Sequence, residues 1–265
     1  MKTDIQRAFT SWGFIVALFG TSAVLFFGSL ESLLPIMQQA MGEGPVAGFH
    51  EQVLLTALQS GIVLLAMPVL AALPYTAAFV DDCKSGILKE YLPRCGKKRY
   101  IRAKVLASGL SGAAALFAGI FITYFIYALV FTPMEILPQA PDQAANIAMM
   151  SSAQTQMPSM FPQILEGAFL FFLAGFFWSL VGGLFGALTM KWYLAYALPF
   201  VLYYGLANFF TWFFSGTTIL NPQNWINPAA EWPGGMWGTA LFLAELIVIA
   251  AVLYAVAVKK RLVKV

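Results

Sequence analysis

Clusters of basic residues divide this chain into long apolar segments, and this division constrains the fold more than any other feature. The 15 Lys and Arg residues lie at residues 2–7, at 84–104, at Lys191 and at 259–264. Between these clusters the sequence is apolar and aromatic. Loops on the cytoplasmic side of a membrane carry the excess of basic residues. We therefore predict a polytopic membrane protein with both termini in the cytoplasm.

Six segments are long and apolar enough to cross a bilayer as helices, since a span needs about 20 such residues. The chain is 60% hydrophobic and only 10% charged, against roughly 25% charged in soluble domains. We expect an all-α fold with six transmembrane helices in a single transmembrane domain, residues 1–265. The predicted spans are residues 12–34, 53–80, 105–131, 165–190, 192–213 and 237–258.

Three loops are expected on the outer side. Residues 35–52 hold the only histidine, His50, which we expect to be solvated. Residues 132–164 are rich in proline and methionine, and they either contribute to substrate recognition or form a tolerated flexible segment. Residues 214–236 are apolar and contain Trp225. Because Trp prefers the membrane interface, we expect this last loop to return toward it.

The first residues of the chain have an amphipathic pattern. In residues 2–12, Ile5, Phe9 and Trp12 share one face of a helix, and the polar residues, including Asp4, take the other. This spacing predicts a cytoplasmic interfacial helix that leads into the first span.

A second amphipathic pattern lies between the second and third spans. The apolar side chains of residues 81–93 share one helical face, Asp81 or Asp82 is placed to cap the start, and Pro93 is placed to end the helix. This predicts one short cytoplasmic helix, whose simplest role is a second interfacial anchor.

The sequence contains no recognisable catalytic or metal-binding set. Cys83 and Cys95 lie in the basic cytoplasmic segment, where we expect free thiols. The Gly96-Lys97 pair lacks the remainder of a phosphate-binding loop. We therefore expect no enzymatic activity, no metal and no cofactor bound by this chain. The basic residues follow membrane topology, so we expect contact with membrane lipid and no nucleic-acid partner.

Polar and acidic side chains inside the predicted spans are candidates for function. Glu245 is an intramembrane acid that either belongs to an ion path or lies near the outer headgroups. A stripe of small residues in the fourth span, from Gly175 to Ala187, is expected to pack helices within the subunit. Six side chains of the second and fifth spans either line a substrate path or bond to neighbouring backbone: Gln59, Tyr75, Tyr203, Tyr204, Asn208 and Phe209.

Residues 73–104, LPYTAAFVDDCKSGILKEYLPRCGKKRYIRAK, carry a resemblance to a known family. They resemble the permease subunits of ABC-type exporters of the type-2 permease class, which have the type V exporter-like fold. In that family an acid near the end of the second span, more often Glu than Asp, precedes a short helix, a basic segment and a Lys that opens the third span. The matching residues are Asp81 or Asp82, Ser85, Gly86, Leu88, Leu92, Arg99, Tyr100 and Lys104.

The resemblance implies that two permeases, identical or paralogous, pair and bind separate ATP-binding subunits that hold ATP and Mg²⁺. It implies that residues 2–12 form an elbow helix and that the second and fifth spans line the substrate route. The helix at residues 82–92 is then a coupling helix that contacts the ATPase. Its candidate coupling residues are Asp81, Asp82, Ser85, Gly86, Ile87, Leu88, Tyr91, Leu92 and Arg94.

We therefore expect a multi-pass permease subunit of an ATP-driven exporter in a bacterial plasma membrane. The substrate class is amphipathic: a peptide such as an antimicrobial peptide, an antibiotic or a lipid-like molecule. One alternative is a secondary transporter or channel that is not coupled to ATP; such proteins concentrate polar residues at mid-membrane and often contain repeats. Another alternative is a non-transporting scaffold or sensor subunit.

Overall fold

The computed structural model describes residues 2–43, 49–130, 160–214, 219–226 and 235–263. Within these ranges the regular structure is entirely helical, with ten α-helices and one short 3₁₀ helix, Pro222–Ile226. The α-helices are α1 Lys2–Phe9, α2 Trp12–Glu43, α3 Phe49–Leu58, α4 Gly61–Ala72, α5 Ala78–Lys84, α6 Leu88–Cys95, α7 Lys97–Val130, α8 Phe161–Thr189, α9 Trp192–Phe213 and α10 Gly235–Leu262.

Five of the described helices are long and apolar enough to cross a membrane: α2, α7, α8, α9 and α10. The number becomes six if the bent pair α3–α4 counts as one span. The prediction of an all-α polytopic fold is confirmed at this level. The predicted fifth span, residues 192–213, has the same bounds as α9.

The predicted second span is wrong as a continuous helix. α3 ends at Leu58, and α4 begins at Gly61 with its axis turned by 69°. Ser60 has an extended backbone at this break, and its hydroxyl accepts a hydrogen bond from the amide of Val63 at 3.5 Å. Serine favours such N-cap positions because its oxygen satisfies an amide that has no partner within the helix. A turn at residues 73–77 then separates α4 from α5.

Helices α2, α3 and α7 extend beyond the bounds predicted for the first outer loop and the third span. α2 continues to Glu43 and α3 begins at Phe49, so most of the expected loop at residues 35–52 is helical. His50 consequently lies in α3, where its ring is 5.6 Å from that of Tyr124. α7 includes the basic segment from Lys97 because Lys and Arg favour helices nearly as well as Leu. The methionine-rich segment, residues 132–159, lies outside the described residues.

The small-residue stripe of α8 packs this central helix against its neighbours. Gly183 faces Tyr254 of α10 so closely that an added Cβ would lie 2.7 Å from the ring. On the α7 side, Ser179 donates a hydrogen bond to the carbonyl of Ser108 at 2.7 Å. Small residues allow such close approach of helices in membranes. The prediction that the stripe packs helices within the subunit is confirmed.

The apolar segment before α10 folds back onto the bundle. Trp225, in the 3₁₀ helix, is only 3% exposed, and its ring stacks on Trp178 of α8 with 6.0 Å between centroids. The indole nitrogen of Trp225 donates to the carbonyl of Ile219 at 2.8 Å. The sequence predicted a return toward the membrane interface; the described part, residues 219–226, packs into the helix bundle itself.

Side-chain contacts distinguish two ends of the bundle. At the first, which we call the basic end, the guanidinium of Arg261 donates to the carbonyl of Ala187 at 3.1 Å, and Lys104 of α7 lies 3.4 Å from Asp4 of α1. At the opposite end, Glu51 accepts a hydrogen bond from the backbone amide of Met160 at 2.6 Å. Helices α1, α5 and α6 and the carboxyl end of α10 are therefore grouped at the basic end.

Candidate functional site

The connection between α4 and α7 consists of two short helices, α5 and α6, rather than the single predicted one. We call the segment from α5 to α6 the α5–α6 connection. The break falls at Gly86, whose φ of 75° is in the left-handed region that glycine adopts without a steric penalty. The predicted end signals were also wrong. The N-cap residue of α5 is Ala77, and α6 continues past Pro93 to Cys95, where Gly96 ends it with a φ of 76°. The Ser-Gly pair therefore marks a joint between α5 and α6.

The candidate coupling residues divide into exposed and buried groups. Ile87 at the joint is 46% exposed, whereas its neighbour Leu88 is 1% exposed and packs into the core. Leu92 is partly buried against the same core. The side chain of Tyr91 is not among those that the structure describes. Asp82 is buried as well. The exposed members are Asp81, Ser85, Gly86, Ile87 and Arg94.

Asp82 is buried because it belongs to a compact charge cluster at the basic end. The ammonium of Lys104, with its side chain only 1% exposed, lies 2.7 Å from Asp82 Oδ2 and 3.4 Å from Asp4 Oδ1. Taking such charges out of water costs several kcal/mol per ion unless opposite charges and hydrogen bonds surround them. Here one cation is held between two carboxylates that come from α1 and α5.

Two tyrosines complete the surroundings of this ammonium. Lys104 donates to the Tyr75 hydroxyl at 2.9 Å, and that hydroxyl donates to Asp4 Oδ1 at 3.3 Å. The hydroxyl of Tyr100 donates to Asp82 Oδ2 at 2.8 Å. The ammonium also lies 4.7 Å from the ring centroid of Tyr75, within range of a cation–π interaction. Burial, followed by the nearby Asp4 carboxylate, raises the pKa of Tyr75, so this phenol keeps the proton that it donates.

Arg7 closes the cluster at its solvent-facing side. Its side chain is 54% exposed, and Nη1 lies 3.5 Å from Asp82 Oδ1. The charge cluster, defined as Asp4, Arg7, Tyr75, Asp82, Tyr100 and Lys104, therefore balances two cations against two carboxylates. It joins four separate parts of the chain: α1, the turn at residues 73–77, α5 and the first turns of α7.

A backbone contact fixes the same junction beside the charges. The hydroxyl of Ser11, between α1 and α2, donates to the carbonyl of Pro74 at 2.9 Å. Gly13 lies against the carbonyl of Leu73 so closely that a Cβ there would overlap it. The start of α2 and the turn at residues 73–77 are therefore in direct contact, beside the ion pairs that link α1 to α5 and α7.

The sequence signals for this cluster were only partly recognised. Asp4 was correctly assigned to the polar face of α1, but its side chain is buried beside α7, whereas Gln6 and Arg7 of the same face are exposed. Lys104 was matched to the lysine that opens the third span in the permease family, but the sequence did not indicate which acid it contacts. The available signal was compositional: Asp4 lies within the first basic cluster, and Asp81 and Asp82 directly precede the second. Which acid meets which cation depends on contacts between residues 22 positions apart (Asp82 and Lys104) to 100 positions apart (Asp4 and Lys104), and is not encoded locally.

The α5–α6 connection contains two cysteines, Cys83 in α5 and Cys95 in α6. Both Cys83 and Cys95 are free, as predicted. Burial, followed by the carboxylate of Asp82, raises the pKa of Cys83 to about 11. Over the described ranges, no three His, Cys, Asp or Glu side chains lie close enough together to hold a metal ion.

The six candidate path residues do not form one surface. Tyr75 belongs to the charge cluster, and Tyr203 is buried beside Trp178, with ring centroids 5.7 Å apart. The Asn208 amide donates to the carbonyl of Tyr204 in its own helix at 2.8 Å, which matches the backbone-bonding interpretation for this residue. The side chains that remain exposed are Gln59, Tyr204 and Phe209.

Two buried polar atoms in the middle of the bundle have no hydrogen-bond partner among the described residues. They are Nε1 of Trp178 in α8 and the hydroxyl of Tyr203 in α9. An unsatisfied buried donor costs about 1–3 kcal/mol. Both side chains are buried where α8 and α9 pack together.

Glu245 lies on the outer surface of α10. Its side chain is exposed and is flanked by exposed Leu241, Val248 and Ile249. Among the described residues it forms no salt bridge. The structure thus places this acid on an apolar outer face rather than in the interior of the bundle.

Comparison with protein-family models, with curated proteins and with solved structures finds no match to this chain.

Proposed function

We propose that this chain is the permease subunit of an ATP-driven exporter and that the α5–α6 connection binds a separate ATPase. The observation that carries the proposal is the exposed joint at Gly86 and Ile87, which continues directly into the buried charge cluster. Single exposed apolar side chains are common on protein surfaces; the proposal rests instead on the position of this joint, which is exposed on one side and continues into the charge cluster on the other. The resemblance of residues 73–104 to type-2 permeases of ABC-type exporters supports the same assignment.

In this proposal the basic end faces the cytoplasm of a bacterial cell. The basic clusters next to spans determine orientation, and the contacts of Lys104 and Arg261 place two of these clusters at the same end of the bundle. Counting α3–α4 as one broken span gives six crossings, and both termini are then cytoplasmic. ATP and Mg²⁺ belong to the partner ATPase, and the outer loops belong to the far side of the plasma membrane.

The charge cluster would transmit movement from the ATPase to the spans. A displacement of α6 reaches α5 through the Gly86 joint, and Asp82 of α5 is held by Lys104 of α7 at 2.7 Å. Asp4 and Arg7 connect α1 to the same group. The 69° bend between α3 and α4 supplies a second joint within the membrane. Rigid elements connected at few flexible points are the usual basis of hinge-type transitions.

The exposed side of α9 supports a role in the substrate route and in pairing with a second permease. α9 is the least buried of the candidate spans, and exposed aromatic residues cover it from Tyr204 to Phe213. An aromatic, weakly polar surface suits an amphipathic substrate such as a peptide, an antibiotic or a lipid-like molecule. The second permease is either identical or paralogous.

The proposal is tested by purifying the tagged chain from native membranes in mild detergents and identifying the co-purifying proteins by mass spectrometry. We expect a stoichiometric ATP-binding subunit. Ile87→Asp should reduce its recovery by about tenfold or more, as expected for an interface anchor. Val263→Asp introduces the same charge at another exposed apolar position of the basic end, and it should retain the subunit.

The choice of Ile87 follows from the structure. Leu88 is buried, so a charge there would disrupt packing and would not report on docking alone. Recovery of the chain without an ATP-binding subunit in several detergents would contradict the proposal and favour a transporter that is not coupled to ATP. Equal loss of the subunit in Ile87→Asp and Val263→Asp would contradict the assigned docking position.

A further inference from the structure

A cleft at the basic end opens beside the charge cluster but is lined largely by different groups. Its volume is about 350 Å³, and it lies between the α1–α2 joint, the turn at residues 73–77, α5 and the start of α9. The polar lining residues are Arg7, Thr10, Ser11, Tyr75, Asp81 and Tyr196.

The cleft is at the level expected for lipid headgroups. Trp12, which adjoins the lining residues Ser11 and Gly13, is 81% exposed. On the other side, the exposed ring of Trp192 lies 6.2 Å from that of the lining residue Tyr196. Trp and Tyr concentrate at the membrane–water interface. A membrane lipid can therefore reach the cleft with its headgroup while its acyl chains remain along α2 and α9.

The charges around the cleft select a headgroup that carries both signs. Two charged side chains of opposite sign, Arg7 and Asp81, line the cleft, and the buried Asp4, Asp82 and Lys104 belong to the adjacent charge cluster. Four of these charges are paired within the cluster. Asp81 lines the cleft, is exposed and forms no salt bridge with another described residue. A purely anionic headgroup would be repelled by Asp81, and a purely cationic one would be repelled by Arg7.

The hydrogen-bonding groups distinguish among zwitterions. The hydroxyl protons of Thr10 and Ser11 are used, since both donate to backbone carbonyls. The Thr10 oxygen therefore remains available as an acceptor, and the Ser11 oxygen, which already accepts from the backbone amide of Phe14 at 3.1 Å, has one lone pair left. Together with the Asp81 carboxylate they form an acceptor set suited to an N–H donor with several protons. A primary ammonium provides three such donors, whereas a trimethylammonium provides none. Arg7 has exposed N–H groups for a phosphate.

We propose that this cleft binds the phosphoethanolamine headgroup of a membrane phospholipid, with the ammonium at Asp81 and the phosphate at Arg7. The site requires only that the basic end lies at a membrane surface, so it does not depend on the ATPase partner. A bound lipid would contact α1, α5 and α9 at once. It would thereby link the α5–α6 connection to the lipid composition of its leaflet.

Native mass spectrometry of the full-length chain in detergent tests this directly. The delipidated protein is mixed with equal amounts of phosphatidylethanolamine, phosphatidylcholine and phosphatidylglycerol that have matched acyl chains. We expect bound phosphatidylethanolamine to exceed each of the others by about tenfold, the effect of one or two charge-assisted hydrogen bonds. Asp81→Asn should remove most of this preference, and Thr10→Val should reduce it. Glu166→Gln neutralises an exposed acid on α8 outside the cleft lining and should leave it unchanged.

Several results would overturn the proposal. Equal binding of the three lipids would show that the cleft does not select the ammonium. Stronger binding of phosphatidylglycerol would indicate general attraction to the basic end. An unchanged preference in both Asp81→Asn and Thr10→Val would place the lipid elsewhere. Soluble O-phosphoethanolamine should displace the lipid only at far higher concentration; displacement at equal concentration would assign the site to a soluble ligand.

Discussion

Two regions of this molecule hold helices together by opposite means. At the basic end, a buried Lys104 lies between two carboxylates and two tyrosine rings. In the middle of the bundle, α7 and α8 meet through small residues and a single serine pair, with the Ser108 and Ser179 hydroxyl oxygens 3.1 Å apart. Close packing suits two long helices that remain adjacent. Ionic contacts connect short elements that have too little apolar surface to pack firmly, and they fail abruptly when one charge is removed.

The comparison predicts the largest effect at Lys104. Replacement by Met removes the buried cation that lies between Asp4 and Asp82, and breaking a buried ion pair in this way typically costs about 3–5 kcal/mol. We expect the free energy of unfolding, measured by steric trapping in bicelles, to fall by that amount. Lys98→Met changes an exposed lysine of the same helix and should alter it by less than about 0.5 kcal/mol. Similar values for the two variants would show that the cluster does not stabilise the fold.

The second largest effect is expected for the alkylation rate of Cys83, the thiol next to the charge cluster. Because the pKa of Cys83 is raised to about 11, its reactive thiolate is scarce at pH 8. In a Cys95→Ser background, alkylation of Cys83 by iodoacetamide should be about 100-fold slower than that of a model thiol at pH 8. The rate should rise about tenfold per pH unit until the pH approaches the pKa. A rate that levels off below pH 9 would contradict this environment.

The third effect tests close packing between α7 and α8. A Cβ at Gly112 would lie 2.7 Å from Ser179 Cβ and would overlap the carbonyl of Ala71. Gly112→Ala should therefore destabilise the protein by about 1–3 kcal/mol, the usual cost of overpacking. Gly205→Ala is the matched control, because nothing lies within 4 Å of a Cβ on that helical glycine. It should be neutral or stabilising. Equal thermal stability of the two variants would indicate a looser interface.

The smallest effect is expected for the serine pair. Hydrogen bonds between membrane helices contribute about 0.6 kcal/mol on average, because the separated helices find other partners. A double-mutant cycle of Ser108→Ala and Ser179→Ala should give a coupling free energy near that value. A coupling above about 2 kcal/mol would mean that polar contacts, rather than small-residue packing, dominate this interface as well.

The membrane fold was predictable because hydrophobicity and charge are read segment by segment. The apolar lengths located α9 to the residue, and the spacing of Gly175, Ser179 and Gly183 indicated the packing face of α8. The break at Ser60 was missed because the length and hydropathy of residues 53–80 outweighed the interruption at Gln59-Ser60-Gly61, whose Ser-Gly pair is a turn signal. A serine N-cap is a weak signal inside a hydrophobic run.

The candidate site was less predictable, since its parts come from distant positions. Local spacing identified an amphipathic α1 and a short basic connection near Gly86. It did not show that Asp4 of α1 is buried beside Lys104, or that Asp82 is withdrawn from the surface by Lys104 and Tyr100. Periodicity shows which residues share a face, while the surroundings of that face depend on tertiary contacts.

The central claim is that the charge cluster holds the α5–α6 connection to the bundle. Hydrogen–deuterium exchange of the full chain in nanodiscs, comparing Lys104→Met with Lys98→Met, tests it most directly. Local opening exposes amides in proportion to the free energy lost. We expect amides of α5 and α6 to exchange at least about tenfold faster in Lys104→Met, with those of α8 protected in both variants. Unchanged exchange in α5 and α6, or an equal increase throughout α8, would contradict the claim.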